Sequence, residues 1–107
     1  MDDAYEQEVA STDEALQRDD FEAAFRHLER AHVLAQRMTG RHTFVHWRML
    51  VAGLRCGDVR EVVGQVPRIM ASILFSRLWV PRGNSGRSRV SAFKPMPVPA
   101  DLRHLVP

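Results

Sequence analysis

The sequence has only one cysteine and no long uninterrupted apolar segment. Cys56 cannot form a disulfide within the chain, whereas a small domain built for an oxidising compartment usually contains several. The longest apolar-rich stretch, residues 69–76, is far shorter than the roughly 20 residues that cross a bilayer. The first residues are acidic, so no export signal is expected. We therefore expect a cytoplasmic protein with no membrane segment.

The sequence also lacks the motifs of common catalytic and nucleotide-binding sites. No serine occupies a Gly-x-Ser-x-Gly setting, no base adjoins the cysteine in sequence, and no glycine-rich segment ends in the Gly-Lys-Ser/Thr of a phosphate loop. A nucleophilic hydrolase is therefore unsupported. We predict no catalytic residues, and the sequence favours a protein that is not an enzyme.

The two halves of the chain carry opposite charge. Residues 1–40 hold ten acidic residues against four arginines, whereas residues 41–107 hold eleven basic residues against three acidic ones. We interpret this as attraction between the halves, within one domain or across a dimer. Phosphate or nucleic-acid binding by the basic half is an alternative, in which the arginines around a glycine turn would hold the anion: Arg82, Arg87 and Arg89. Nucleic acid is disfavoured because neither interleaved aromatics nor a recognition helix is present.

Apolar residues recur at helical spacing in four segments, which predicts an all-α fold. The first helix is expected over residues 4–18, although Ser11 and Glu14 match a capping box that would start the regular helix later. The second helix follows the pair Asp19–Asp20, which supplies a side-chain cap, and has the strongest apolar stripe of the chain. Gly40 is expected to end it.

The third and fourth helices are predicted from a similar pattern. The third is expected over residues 42–56, and Gly57–Asp58 then repeats the signal that ends one helix and caps the next. The fourth is expected from Val59 to about Leu78, with a kink caused by Pro67. The expected architecture is four helices in two antiparallel hairpins, occupying residues 1–78.

The two hairpins are similar in sequence. At an offset of 38 residues, Phe25 aligns with Val63 and Leu28 with Val66. Residues 4–78 resemble tetratricopeptide-type helical hairpins, and the resemblance is carried by the turn and the alanine-rich helix at residues 16–31. Two such hairpins bury too little surface alone, since about three repeats are normally needed for a continuous core. Another part of the chain must therefore cover them.

The proline-rich segment at residues 79–107 is expected to provide this cover. We expect it to be ordered but irregular, with at most one helical turn at residues 101–105, and to belong to the same domain; disorder is the alternative. The apolar residues expected to pack on the helices are Trp79, Val80, Val90, Phe93, Met96, Val98, Leu102 and Leu105.

Several local motifs together resemble one bacterial family. They are His-Leu-Glu-Arg-Ala-His at residues 27–32, His-x3-His-Trp at residues 42–47, Val-Pro-Arg-Gly-Asn-Ser-Gly at residues 80–86, and Val-Ser-Ala-Phe-Lys-Pro-Met-Pro-Val-Pro-Ala-Asp-Leu at residues 90–102. The chain is similar in these to the uncharacterised family known as domain of unknown function 3703. The resemblance implies that the C-terminal segment is part of the fold, and it implies no activity.

Clustered histidines are the sharpest chemical signal in the sequence. His42 and His46 lie one helical turn apart, and such a pair can bind one metal ion. Antiparallel packing of the second and third helices should place His46 roughly opposite His32 or Val33. The sequence thus predicts a three-histidine group, with Glu29 in support because Glu29 and His32 have the Glu-x-x-His spacing.

Two other residues are weaker candidates as metal ligands. His27 lies about 140° from His32 around the second helix, and Glu61 is already expected to act in a capping box. The predicted ion is zinc, iron or copper. In the alternatives, the histidines are structural residues bonded to carbonyls or carboxylates, or one acts in acid–base catalysis with Glu29 or Glu61.

The sequence leaves two functional hypotheses. The first is a small interaction module that binds a protein partner or self-associates, because two hairpins and a covering tail leave surface for it. The second is a transition-metal-binding protein that uses the histidine cluster.

Overall fold

The computed structural model describes residues 2–76, 78 and 80–106, and this part of the chain is all-α, without strands. Consecutive helices joined by short turns pack against one another, so the four main helices form two antiparallel hairpins, as predicted. A short 3₁₀ helix follows near the C-terminus. The elements are α1 (Asp2–Gln17), α2 (Phe21–Ala35), α3 (Thr39–Cys56), α4 (Val59–Phe75) and the 3₁₀ helix (Ala100–Leu105).

Side-chain caps begin α2 and α4 where the sequence predicts them. Asp20 accepts a hydrogen bond from the backbone N–H of Ala23, and Asp58 accepts one from the N–H of Glu61, each at 3.1 Å. Gly57 ends α3 in the left-handed conformation, with φ of 75°. Asp20 therefore marks the start of α2, and Gly57 with Asp58 marks the boundary between α3 and α4.

Other predicted boundaries are wrong. The capping-box start of α1 does not occur, because α1 already begins at Asp2 and Ser11 lies inside it, accepting a hydrogen bond from Gln7. Gly40 does not end α2, since α2 ends at Ala35 and Gly40 is the second residue of α3. At the other end, α4 stops at Phe75 rather than near Leu78. It runs without interruption through Pro67.

The C-terminal segment contributes to the same core as the helices. Val98 and Leu102 are each 3% exposed and belong to one buried cluster with the apolar face of α2. Phe93, by contrast, is 75% exposed, so its predicted place in the core is wrong. The prediction for Trp79 falls outside the described residues. The 3₁₀ helix spans six residues and is longer than the single turn predicted.

The two hairpins differ in the face that they bury. In α2 the apolar face is internal, and Phe25 is only 5% exposed. In α4 the buried residues are polar, namely Glu61, Gln65 and Ser72. The apolar stripe of α4 instead faces outward, with exposed fractions of 53–72%: Val59, Val63, Val66, Met70 and Ile73. The sequence similarity of the hairpins therefore does not extend to their packing.

Ion pairs connect the acidic and basic halves of the chain. Arg55 contacts Asp19 at 2.9 Å, Arg87 contacts Glu29 at 3.5 Å, and Arg48 pairs with Asp13. The charge separation in the sequence thus corresponds to attraction within one folded chain. Over the residues that the structure describes, no helix is both long enough and apolar enough to span a membrane.

Candidate metal centre

Three histidines from two helices converge at one point in the interior. His32 lies on α2, and His42 and His46 lie one turn apart on α3. Their Nε2 atoms lie 3.0–3.1 Å from one another, and all three histidines are buried. These are the three histidines that the sequence spacing brings to one level of the α2–α3 hairpin. The arrangement offers three nitrogen ligands to a single ion.

Hydrogen bonds fix the tautomers of His32 and His46. Nδ1 of His32 lies 2.7 Å from the carbonyl oxygen of Asn84, which can only accept, so this Nδ1 donates. Nδ1 of His46 lies 2.6 Å from Oε1 of Gln65. The Gln65 amide nitrogen donates elsewhere, to Glu61 and to the carbonyl of Gly86, so its oxygen faces His46. In both imidazoles Nε2 therefore carries a lone pair.

The third imidazole has the same tautomer for a similar reason. Nδ1 of His42 lies 2.8 Å from Oγ of Ser76, and the Ser76 hydroxyl donates its proton to the carbonyl of Ser72. Oγ therefore accepts from His42. The lone pairs of the three Nε2 atoms therefore face one another at 3.0–3.1 Å. None of these nitrogens carries a proton, so they cannot hydrogen-bond to one another. Buried acceptors in this situation are costly unless a cation binds them.

Protonation could relieve the contact between the three Nε2 lone pairs, but the surroundings of the imidazoles disfavour it. Burial, followed by the charges of His46 and His42, lowers the pKa of His32 well below its usual value. Burial and His46 lower the pKa of His42 to about 3. Burial, opposed by the Gln65 hydrogen bond and supported by the charge of Arg68, lowers the pKa of His46 to about 4. At neutral pH the three imidazoles are therefore neutral.

A second layer of hydrogen bonds orients His46 from α4. Gln65 donates to Oε2 of Glu61 at 2.5 Å while accepting from His46. The Glu61 carboxylate in turn accepts hydrogen bonds from Nε of Arg87 at 2.6 Å and from the backbone N–H of Ser88 at 3.2 Å. Burial alone would raise the pKa of Glu61, but these hydrogen bonds and the charge of Arg87 lower it, so the carboxylate is ionised. Such outer partners set ligand orientation in metal sites.

The C-terminal segment holds His32 in place. Its backbone supplies the Asn84 carbonyl, and Asn84 is itself fixed by hydrogen bonds from its amide to the carbonyls of Ser91 and Lys94, each at 2.7 Å. Gly86 packs directly on the imidazole, where a Cβ atom would lie 2.6 Å from Cδ2 of His32. Its φ of 83° also favours glycine. The site therefore requires this segment as well as the helices.

The other predicted metal ligands lie elsewhere. Glu29 approaches Arg87 at 3.5 Å, and Nδ1 of His27 contacts Glu8 at 2.8 Å. Glu61 reaches the cluster only through Gln65. Among the described residues, the group of ligand atoms close enough to share an ion comprises His32, His42 and His46 alone.

The three arginines predicted to bind anions each interact with other groups of the protein. Arg87 is bonded to Glu61 and lies over the ring of Phe25, 3.9 Å from its centroid. Arg89 pairs with Asp58 at 2.7 Å. Arg82 is exposed and has its own interactions within the protein. Two of the three charges are thus compensated by internal carboxylates.

A cavity of about 560 Å³ opens onto the three imidazoles. Its wall is mainly apolar, and the apolar part is contributed by α4 and the C-terminal segment. The apolar lining includes Pro67, Ala71, Phe75, Val80, Pro81 and Phe93. Since His32, His42 and His46 line the same cavity, a fourth ligand of a bound ion would reach it from this side.

Sequence reasoning missed the residues that bond to Nδ1 of each histidine: Gln65, Ser76 and Asn84. Asn84 lies within the Asn-Ser-Gly motif that carried the family resemblance, so that motif was an available signal. Gln65 and Ser76 have no comparable sequence signal, because a glutamine and a serine at a helix surface are usually solvated.

One of the comparisons with known proteins gives a match. A family model described as "Protein of unknown function (DUF3703)" matches residues 1–106, which include all of the residues around the three imidazoles. No curated protein and no solved structure matches the chain significantly. The chemistry must therefore be argued from the site itself.

Proposed function

The chain belongs to the DUF3703 family, whose description assigns no function, and we propose from its histidine geometry that it binds a transition-metal ion through His32, His42 and His46. The observation that carries the proposal is the convergence of three unprotonated Nε2 atoms. Their spacing of 3.0–3.1 Å puts each atom about 1.8 Å from the centre of the triangle, so an ion at the usual zinc–imidazole distance of about 2.0–2.1 Å would lie just outside its plane.

Zinc or copper fits this ligand set better than iron, and three histidines are a known ligand set of tetrahedral zinc sites. Three neutral imidazoles without a carboxylate or thiolate suit zinc or copper, whereas non-haem iron usually takes two histidines and a carboxylate. Glu29 does not supply that carboxylate, because it faces Arg87. Three protein ligands also leave one position of a tetrahedral ion open, as in catalytic zinc sites rather than closed structural ones.

Metal analysis of protein purified without a histidine tag tests the proposal. We expect about one zinc ion per chain, removable by a chelator. Added back at 100 times its Kd, zinc should stabilise the stripped protein by about 2.7 kcal/mol, which raises Tm by roughly 10 °C or more. The double variant His42→Gln/His46→Gln should lose this response, and the exposed His104→Gln should retain it. The proposal fails if no metal co-purifies and excess zinc, copper and cobalt leave Tm unchanged.

A second candidate function, self-association, is supported by the outward stripe of α4. Val59, Val63, Val66, Met70 and Ile73 recur at steps of four and three residues, the spacing of a helix–helix seam. Trp47 and Leu54 on α3 are also exposed apolar residues, at 53% and 61%. No stripe residue is charged, so the stripe suits an equally apolar surface, and a second copy of the chain would supply one by two-fold symmetry.

Light scattering during size-exclusion chromatography tests this second function. We expect a dimer for the natural chain and a monomer for Val63→Glu/Met70→Glu. Ala10→Glu, an equivalent change on the exposed surface of α1, should remain dimeric. A natural chain that is monomeric at about 100 µM would refute self-association through this stripe. That result would leave the metal proposal unaffected, because the stripe is on the outward face of α4, whereas His46 contacts Gln65 on the buried face of this helix.

A further inference from the structure

The polar groups in the wall of the histidine cavity are almost all occupied by the protein itself. Gln36 donates to the carbonyl of Pro81 at 3.0 Å and accepts from the N–H of Gly83 at 3.1 Å. The Asn84 amide is bonded to two carbonyls, and the hydroxyl of Ser72 donates to the carbonyl of Ile69. The wall therefore offers few hydrogen bonds to a sugar or a nucleotide. It favours a ligand whose body is apolar.

Arg68 is the exception in this wall. Its Nη1 and Nη2 donate to the backbone carbonyls of Gly64 and Val90, each at 2.8 Å. No carboxylate among the described residues pairs with it, and three of its five N–H donors are left for other partners. Its charge lies close enough to the imidazoles to lower the pKa of His32 and His46. A cationic group thus faces the same cavity as the proposed metal ion.

From these observations we propose that the cavity binds an apolar molecule with one carboxylate head, which bridges the metal ion and Arg68. The inference rests on the proposed metal function, since the carboxylate needs the open coordination position. The carboxylate would neutralise the guanidinium, and a guanidinium–carboxylate hydrogen bond is strengthened in apolar surroundings. The chain of the ligand would lie against Pro67, Ala71 and Phe75. A cavity of about 560 Å³ is within the usual range for small-molecule sites.

Octanoate added to cobalt-loaded protein is a direct probe, because the visible spectrum of cobalt(II) changes when a fourth ligand exchanges. We expect a saturable spectral change with octanoate. Acetate has the head without the chain, and octanol has the chain without the charge, so each should bind at least 10-fold more weakly. If octanol binds as well as octanoate, or acetate does, the proposed ligand class is wrong.

Two variants test separately how the carboxylate head and the apolar chain of the ligand are bound. Arg68→Gln should weaken octanoate binding at least 10-fold, whereas Arg60→Gln, the same change at an exposed position of α4, should not. Ala71→Phe should obstruct octanoate while leaving cobalt and acetate binding unchanged. If cobalt binds but octanoate changes neither its spectrum nor Tm, only this inference falls. If cobalt itself does not bind, the proposed function falls, and the inference falls with it.

Discussion

The side-chain oxygen of Gln65 lies 2.6 Å from Nδ1 of His46, which ties the polar face of α4 to the three-histidine cluster. A ligating histidine is usually fixed by such an acceptor, and loss of the acceptor typically reduces metal affinity 10- to 100-fold. The contact also explains why a helix with a strong apolar stripe turns its polar side inward.

Replacing Gln65 by methionine should weaken zinc binding by about 10- to 100-fold, because the acceptor is lost at nearly constant volume. Competition with a chromophoric chelator measures the Kd, and circular dichroism establishes that the helices persist. Gln17→Met, at an exposed position of α1, is the control and should leave the Kd unchanged. Equal affinities for the Gln65→Met protein and the natural chain would show that the contact does not orient His46.

The metal-free protein should lose stability on mild acidification. Burial first, and then the neighbouring charges, hold the pKa of His42 at about 3 and that of His46 at about 4, against about 6.5 in the unfolded chain. Between these values the unfolded chain binds more protons than the folded one. The free energy of unfolding therefore falls as pH drops below about 6.5, by up to about 1.4 kcal/mol per pH unit for each histidine.

Urea unfolding of chelator-treated protein at about pH 7.5 and pH 5 measures this dependence. His42→Gln/His46→Gln is the comparison, since it removes two of the titrating groups and should show a shallower loss. Identical stability of the natural metal-free chain at both pH values would mean that the imidazoles are not buried as neutral groups.

Gly86→Ala should lower both zinc affinity and stability. A Cβ at this position would lie 2.6 Å from the His32 ring, and φ of 83° is strained for alanine. Gly40→Ala provides the opposite case, because no atom lies within 4 Å of its Cβ position and the residue is helical. It should stabilise the protein by roughly 0.5–1 kcal/mol. Thermal unfolding with and without zinc tests both, and a tolerated Gly86→Ala would contradict the packing.

Arg30→Ala should loosen the contact between the helices and the C-terminal 3₁₀ helix. Arg30 bonds Glu8 of α1 at 2.7 Å and Asp101 at 2.5 Å, and the change leaves the buried Glu8 with one partner fewer. We expect a loss of about 1–3 kcal/mol in the free energy of unfolding, and faster amide exchange near Leu102. Arg26→Ala, one turn away on the exposed face of α2, is the control. Unchanged exchange at Leu102 would show that Arg30 does not hold the segment.

Much of the fold follows from local sequence. Helix periodicity gives the four helices, and Asp20, Gly57 and Asp58 mark boundaries because capping depends only on residues a few positions apart. The spacing of His42 and His46 likewise puts both on one face of α3. The boundary at Gly40 was predicted incorrectly because glycine permits a left-handed turn without requiring one.

Only the tertiary structure decides which face of α4 is internal. Periodicity shows that α4 has an apolar face and a polar face, and the usual expectation is that the apolar face is buried. Here Glu61, Gln65 and Ser72 are buried instead, since the imidazoles on α3 need hydrogen-bonding partners and an apolar face would leave their Nδ1 groups unsatisfied. The Asn84 carbonyl reaches His32 across 52 positions of sequence. Such long-range hydrogen bonding has no local signature, so the sequence determines the helices and the spacing of the histidines, while the fold determines what surrounds them.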